Sequence, residues 1–218
     1  MFFCRMKTLD TQSVLIDLQC LPCLEFFTCV LAFDEVILES NENYSKQSYR
    51  NRAYILGANK TEMLIVPVLD GNKKVLIQDV RIDYSQSWQQ IHWRTIKAAY
   101  GKSPFFEFYS DFFQEVFDKK NTFLWDTNME LLTICLKLLR VNKTIRQTKT
   151  YHKQVDSSVF DARNSINFKK TYESRGFYNA VSYQQNFGNE FVSNLSILDL
   201  LFCRGNQASE ILKKSSSI

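Results

Sequence analysis

The sequence predicts an α/β domain built on a mixed sheet. Three observations predict this class: a strand-helix-strand pattern near the start of the chain, a hairpin pattern after it, and a change to helical periodicity from Trp88 onward. The chain has 218 residues, enough to bury a core without disulfides or a metal. We therefore predict one domain over residues 1–218, in which three central helices cover the sheet and a helical segment follows them.

The strand-helix-strand pattern lies in residues 13–39. Residues 13–17 predict a short apolar strand, and Pro22 then opens a helix over residues 23–33, because proline suits the first turn of a helix. Residues 34–39 follow directly and predict a second strand. A unit of this kind places its two strands in parallel, so an α/β architecture is expected.

A hairpin is predicted next along the chain. Residues 52–56 and 63–68 are rich in apolar side chains, and a turn at residues 57–60 separates them. Residues 75–77 and 80–82 predict two further short strands. The first third of the chain is therefore expected to be rich in sheet.

Helical periodicity marks the middle of the chain. Apolar residues recur three and four positions apart over residues 88–100, 104–118 and 123–139. The pair Ser103-Pro104 has the form of a helix cap followed by proline at the first helical position. This pair predicts where the second of the three helices begins.

The remaining segments are less regular. Residues 149–185 are polar and lose periodicity, which predicts a long surface excursion. Helical patterns return at residues 196–202 and 207–212, and residues 213–218 are expected to form a frayed tail. Residues 1–12 are expected to be disordered or to lie upstream of the true start, since Met6 is an alternative initiator.

Composition and charge exclude several classes of protein. The formal net charge is +4, and its cations are interspersed with acidic residues, which argues against a nucleic-acid partner and weakly favours an anionic small molecule. No apolar stretch approaches the roughly 18 residues that span a bilayer, and no signal peptide is evident. We therefore expect a cytoplasmic protein whose six cysteines are reduced thiols.

Three stretches, taken in order, carry a family resemblance. The first comprises Leu21-Pro22, Phe26-Phe27, Asp34-Glu35-Val36-Ile37 and residues 44–57; the second comprises residues 92–96, Ala99-Tyr100, residues 103–107, Asn128 and Leu131-Leu132; the third is residues 194–202. On these residues the chain resembles the WbqC-like family, a bacterial family familiar from Bacteroidetes and often encoded among surface-polysaccharide genes. The chain departs from many members at Asp17-Leu18, where they carry Gln-Pro, and at Cys20 and Cys23, where they carry aromatic or proline residues.

The resemblance implies a function in surface-polysaccharide assembly. One hypothesis is a transferase that places an aminoacyl or other acyl group onto an amino sugar, nucleotide-linked, during O-antigen or capsule synthesis. The alternative is a non-catalytic binding or scaffold protein of the same machinery, because Phe105-Phe106, Phe108-Tyr109 and Phe112-Phe113 exceed what one helix face buries. These hypotheses differ on whether the chain is an enzyme at all.

A cationic segment before the hairpin is the first candidate binding site. Lys46, Arg50 and Arg52, with Asn51 between the arginines, offer groups that bind phosphate or carboxylate. Strand alternation would place Arg50 and Arg52 on one face and Asn51 on the other. The alternative is a solvated edge or a set of internal ion pairs.

His92 is the candidate general base, because an imidazole exchanges protons near neutral pH. Tyr100, about two turns later on the same predicted helix, would donate a proton or orient the substrate, and Lys102 would hold an anion. The alternative is a structural histidine with ordinary packing and capping neighbours. The enzyme hypothesis requires His92 and the cationic segment to face one cavity.

Two asparagines complete the candidate site. Asn128 would orient the acceptor with its amide, or else be a polar residue early in the third helix. Asn194 is a candidate substrate ligand whose simpler interpretation is a helix cap, together with Ser196 and an acid, Asp199, in the first turn. No metal site is predicted, and the sequence does not identify a cofactor.

A redox site is the remaining alternative. Cys20-Leu21-Pro22-Cys23 lies where a strand meets a helix, and a helix N-terminus lowers a thiol pKa. The order of elements after it departs from thioredoxin-like folds.

Overall fold

The structure is a computed structural model that describes residues 12–218. The expectations for residues 1–11, including Met6 as a start and the thiol of Cys4, lie outside the described residues. The strands are Ser13–Ile16 (β1), Glu35–Leu38 (β2), Arg52–Leu56 (β3), Thr61–Ile65 (β4), Thr144–Gln147 (β5) and Val159–Asp161 (β6). The α-helices are Leu24–Leu31 (α1), Trp88–Tyr100 (α2), Phe106–Asp118 (α3), Leu124–Leu138 (α4), Ile197–Arg204 (α5) and Ala208–Ser215 (α6).

A four-stranded parallel sheet forms one half of the fold, in the order β5-β2-β1-β6. Val14 of β1 pairs with Val36 of β2 on one side and with Phe160 of β6 on the other. The apolar run of β1 is buried, as expected for an inner strand of a parallel sheet. The α/β class and the parallel pairing of the first two strands are therefore confirmed.

The hairpin β3-β4 forms a separate antiparallel sheet and does not join the parallel one. Arg52 pairs with Ile65 at its open end, and Leu56 pairs with Thr61 at its turn. The strands predicted at residues 75–77 and 80–82 are wrong. That segment makes isolated bridges, Asn43 to Leu76, Val68 to Ile82 and Arg81 to Phe123, around a 3-10 helix at Ile77–Asp79. Ile77, Val80 and Ile82 are buried whereas Leu76 is 42% exposed, and these tertiary contacts override the preference of the segment for a strand.

The three central helices are confirmed, and α2 has the predicted bounds. Helix α3 begins two residues after Pro104, with Phe105 at its cap position and no side-chain cap. The rings of Phe106 and Phe113 contact Phe202 of α5, at centroid distances of 5.0 and 5.7 Å. Helix α3 therefore packs on α2, α4 and α5, while α2 and α5 contact the hairpin through β3.

The polar segment at residues 149–185 contributes to the parallel sheet, because β6 lies within it. Four of its apolar residues, Ala162, Ile166, Phe177 and Tyr178, are buried and anchor it to the core. At residues 213–218, α6 continues to Ser215, whose carbonyl accepts a hydrogen bond from the Asn179 N–H at 2.8 Å. Within residues 12–218, no helix has the length and apolar character needed to cross a membrane.

Candidate functional site

A group of buried charged side chains lies where the strands of the parallel sheet end. Asp17 follows β1, Glu39 follows β2, and Arg163 and Asn164 follow β6. The carboxyl ends of parallel strands meet at one edge of a sheet, the usual position for ligands in open α/β folds. With Glu42 and Arg50 from the segment before β3, these residues form what we call the carboxyl-edge cluster: Asp17, Glu39, Glu42, Arg50, Arg163 and Asn164.

Arg50 is the centre of one half of the cluster. Its Nε and Nη2 atoms each donate to a carboxylate oxygen of Glu42 at 2.6 Å, and Nη2 also donates to Asn164 Oδ1 at 2.8 Å. Asp17 Oδ1 lies 3.5 Å from the same nitrogen. Burial raises the pKa of Glu42, and the hydrogen bonds from Arg50 offset only part of that rise. The bidentate pair lies within the segment before β3, and the hydrogen bond to Asn164 joins that segment to the loop after β6.

Arg163 is the centre of the other half. Its Nη1 atom donates to Glu39 Oε2 at 2.9 Å, and its Nε and Nη2 atoms donate to the two oxygens of Asp161 at 2.9 and 2.8 Å. Its guanidinium also lies over the exposed ring of Tyr151, 4.9 Å from the centroid. Glu39 is fully buried, whereas the Asp161 side chain is 39% exposed. Arg163 therefore connects the buried cluster to the surface.

The cluster carries more acid than base. Asp17, Glu39 and Glu42 are buried carboxylic side chains, and two guanidinium groups face them. Further donors hold the acids in place: Thr148 Oγ1 donates to Glu39 at 2.6 Å, and the Asn164 N–H donates to Asp17 at 2.5 Å. The arginines of the cluster are already engaged by carboxylates, so they are not free to bind a phosphate.

Two further predicted site residues, Asn51 and Asn128, lie next to Arg50 of the cluster. The Asn128 side chain donates to the backbone carbonyl of Arg50 at 2.7 Å, and the Asn51 side chain donates to the carbonyl of Val66 at 2.9 Å. Among the described residues, the Oδ1 atoms of both asparagines are buried and have no hydrogen-bond partner. Arg50, Asn51 and Asn128 thus lie in one region of the structure.

The other two cations of the predicted segment lie elsewhere. Lys46 is exposed, and its Nζ donates to Asn72 Oδ1 at 2.9 Å. The Arg52 guanidinium lies over the ring of Phe168, 5.4 Å from the centroid, and Nη1 contacts Met63 Sδ at 3.8 Å. The segment therefore separates into a buried arginine within the cluster and two cations outside it.

His92 and Tyr100 are both buried on α2, in different surroundings. The His92 ring lies 5.1 Å from Trp88 and 6.1 Å from Phe117, centroid to centroid. Burial lowers the pKa of His92 to about 4, and a hydrogen bond with the Ile65 backbone opposes this shift only in part. The imidazole is therefore neutral at pH 7, and its ring contacts are with aromatic side chains.

Tyr100 belongs to a buried network that the sequence did not indicate. Its hydroxyl donates to Asp199 Oδ1 at 3.0 Å and accepts from the Leu56 N–H at 3.2 Å. Asp199 also accepts from the hydroxyl of Tyr183 at 2.7 Å and from the Gln185 amide at 2.8 Å. Burial raises the pKa of Asp199, against the effect of these three donors. The apolar residues around Asp199 in α5 were the available signal that this acid faces inward.

Asn194 holds the start of α1. Its Oδ1 accepts from the Glu25 N–H at 2.9 Å, and its Nδ2 donates to Glu25 Oε2 at 3.1 Å. Glu25 is fully buried and forms a bidentate pair with Arg175, at 2.6 and 2.5 Å. The side-chain cap of α5 itself is Ser196, which accepts from the Leu198 N–H. Sequence reasoning missed the Glu25–Arg175 pair because the two residues are far apart in the chain.

The thiols are placed in the core. Cys20 and Cys23 are buried, and burial raises the pKa of Cys20 to about 12 and that of Cys23 further. Both therefore stay protonated near neutral pH, so the geometry does not favour a redox site. In residues 12–218, no group of three or more His, Cys, Asp or Glu side chains is arranged to hold a metal ion.

A cavity of about 630 Å³ lies apart from the cluster, between the turn of the hairpin and the outer face of α2. Residues 57–59, Glu62, Arg94 and Thr95 are among those that line it. Neither His92 nor Tyr100 lines this cavity, although Ala99, the neighbour of Tyr100, does.

Comparison with known proteins gives one family and one relative. The model of the WbqC-like protein family matches residues 19–180 and 177–211. The chain is 24% identical over 223 residues to "Uncharacterized protein Rv1507c" of Mycobacterium tuberculosis (strain ATCC 25618 / H37Rv), and the alignment covers 88% of this chain and 94% of that protein. No solved structure matches.

Proposed function

Because the chain belongs to the WbqC-like protein family, we propose that it transfers an acyl or aminoacyl group onto the amine of an amino sugar. The acceptor amine binds at the carboxyl-edge cluster. The sugar is nucleotide-linked and serves surface-polysaccharide synthesis.

The observation that carries this proposal is the excess of acid over base at the carboxyl edge of a parallel sheet. An amino sugar presents an ammonium group in neutral solution, and a carboxylate-rich edge attracts it. Asp161 is an exposed acid at this edge, and Arg163 holds it with two hydrogen bonds. Tyr151 exposes its ring beside them, which offers an apolar face to a sugar.

The bound ammonium group first loses one proton to water, because only the free amine is nucleophilic. The amine nitrogen attacks the carbonyl carbon of an activated acyl donor, an N–C bond forms, and the bond from that carbon to the leaving group breaks. The proton lost by the amine passes to a base. In this proposal the base is the Asp161 carboxylate, whose side chain is 39% exposed.

His92 and Tyr100 remain predicted catalytic residues. The neutral imidazole of His92 is able to accept a proton, but the acceptor would have to reach it past Trp88 and Phe117. Lys46 and Arg52 are the proposed ligands of the nucleotide phosphates, with Arg50, Asn51 and Asn128 shaping the floor of the acceptor site. In this proposal Asn194 has an indirect role: it accepts a hydrogen bond from the Glu25 N–H and so holds the start of α1 in place.

Calorimetry with two matched ligands tests the proposal. UDP-glucosamine and UDP-glucose differ at one amine, and we expect the amino sugar to bind at least about 10-fold more tightly. The Asp161→Asn variant is expected to remove that difference. Asp34→Asn, at the amino end of β2, is the matched control and should leave it unchanged. Equal affinity of the wild-type protein for both sugars would contradict the proposal.

A second function, a binding or scaffold protein, is favoured by one observation. Phe108 of α3 is 70% exposed, and Phe105 lies 6.3 Å from it, centroid to centroid. Phe105 is half-buried, so Phe108 and the accessible part of Phe105 form the small aromatic patch that serves as the contact surface in this alternative. If this surface carries the function, Phe108→Ser will abolish recovery of envelope-polysaccharide enzymes in a pull-down, while Asp161→Asn will not.

A further inference from the structure

The cavity beside the hairpin turn has features of a second ligand site. It is an open groove of about 630 Å³, since Ile91, Arg94 and Ala98 of its lining are exposed. The turn after β3 forms one wall, and the outer face of α2 forms the other. It is separate from the carboxyl-edge cluster, and none of the cluster residues lines it.

The helix wall is set by helical spacing. Ile91, Arg94, Thr95 and Ala98 lie three, four and seven residues apart and so share one face of α2. Arg94 Nε donates to the carbonyl of Gln90 at 3.3 Å. In the part of the chain that the structure describes, the two Nη atoms of Arg94 make no hydrogen bond or ion pair. The free end of the guanidinium is therefore available to an anionic group.

The hairpin wall carries the opposite charge. Glu62 lies in β4, and Gly57 makes room for its side chain, because a Cβ at position 57 would lie 2.9 Å from Glu62 Cγ. Over residues 12–218, Glu62 forms no ion pair, so its carboxylate is more than 4.0 Å from every Arg94 nitrogen. Two opposite charges thus line one cavity without neutralising each other through direct contact.

We propose that this cavity binds a small zwitterion of the class of free α-amino acids. The ligand carboxylate contacts the Nη atoms of Arg94 and its ammonium group contacts Glu62. Glu62 repels a simple anion and Arg94 repels a simple amine, so a molecule that carries both charges fits better than either alone. The small residues around the charges, Gly57, Ala58, Ala98 and Ala99, leave space for a side chain. This site does not depend on the proposed transferase function.

Saturation-transfer NMR of the wild-type protein with the standard amino acids, each at about 1 mM, tests the proposal. At least one amino acid is expected to show saturation transfer. The best binder is then compared with its C-terminal amide and its N-acetyl derivative, which each lack one charge. Both derivatives are expected to bind at least about 10-fold more weakly. Absence of transfer from every amino acid, or equal binding of the derivatives, would overturn the proposal.

Matched variants place the ligand. Arg94→Gln and Glu62→Gln are each expected to weaken the best binder at least about 10-fold. Lys97→Gln, an exposed residue of the same helix outside the lining, is the control and should bind like the wild type. Unchanged binding in Arg94→Gln would refute the site. The comparison of the amino acid with its two derivatives uses only wild-type protein, so it tests the proposal even if a variant fails to fold.

Discussion

Removal of the Arg50 guanidinium is the perturbation that best probes the carboxyl-edge cluster. Arg50→Met deletes two hydrogen bonds to Glu42 and one to Asn164, and it leaves Glu42 and Asp17 without their cation. The side chains of Arg50, Glu42 and Asp17 are 4%, 7% and 3% exposed, so solvent replaces little of what is lost. Breaking a buried ion pair from one side costs about 3–5 kcal/mol. We expect a loss of about 4 kcal/mol in the free energy of unfolding.

The assay is urea unfolding at pH 7, followed by circular dichroism, and the change in midpoint gives the free-energy difference. Arg50→Lys keeps the charge but loses the fork, so we expect a smaller loss of about 2 kcal/mol. Arg146→Met is the matched control, because Arg146 pairs with Glu35 at 2.6 Å while its side chain is 70% exposed. Such a surface pair contributes less than about 1 kcal/mol.

The comparison of the two arginines decides the outcome. If Arg50→Met and Arg146→Met shift the unfolding midpoint equally, the cluster is not a desolvated ionic unit and the reasoning from its burial fails. If adding Glu42→Met to Arg50→Met recovers part of the lost stability, the cost arises from an uncompensated buried carboxylate rather than from lost packing.

Three further predictions follow from buried groups. The pKa of His92 is about 4 in the folded protein and 6.5 in the unfolded chain. Unfolding therefore takes up a proton as the pH falls through this range, and the free energy of unfolding decreases by up to about 3 kcal/mol. In His92→Asn the free energy of unfolding should change less between pH 6.5 and about 4 than in the wild type. An equal change in both proteins would contradict the lowered pKa of His92. Cys20 and Cys23 should react with iodoacetamide only in unfolding concentrations of urea, and rapid labelling of the native protein would show that they are accessible. Tyr100→Phe should cost about 1–3 kcal/mol, since Asp199 and a buried backbone N–H each lose a partner, and an unchanged urea midpoint would refute that network.

The helices could be predicted because their signal is local. The periodicity of residues 88–100 is set by side chains three and four apart, and α2 has these bounds in the structure. Strands β5 and β6 have three or four residues in polar surroundings, so no alternation marked them. Their place in the sheet depends on pairing with β2 and β1, more than a hundred residues earlier in the chain.

Some residues of the candidate site could be identified from the sequence, whereas others depend on contacts between distant segments. Arg50, Asn51 and Asn128 were identified from residue type and resemblance, and they do lie together. Arg163 was missed because its segment has no pattern of its own, and only the register of β6 brings it to Glu39. Acids placed directly after buried strands are a signal that sequence alone carries, once the strands are known to be parallel.

The position of ligand binding is the central claim, and hydrogen-deuterium exchange with mass spectrometry tests it most directly. With UDP-glucosamine added to the wild-type protein, we expect slower exchange in residues 39–50 and 148–164, the loops that follow β2, β5 and β6. UDP-glucose should slow their exchange less. Protection confined to other parts of the chain, or none with either sugar, would contradict an acceptor site at the carboxyl-edge cluster.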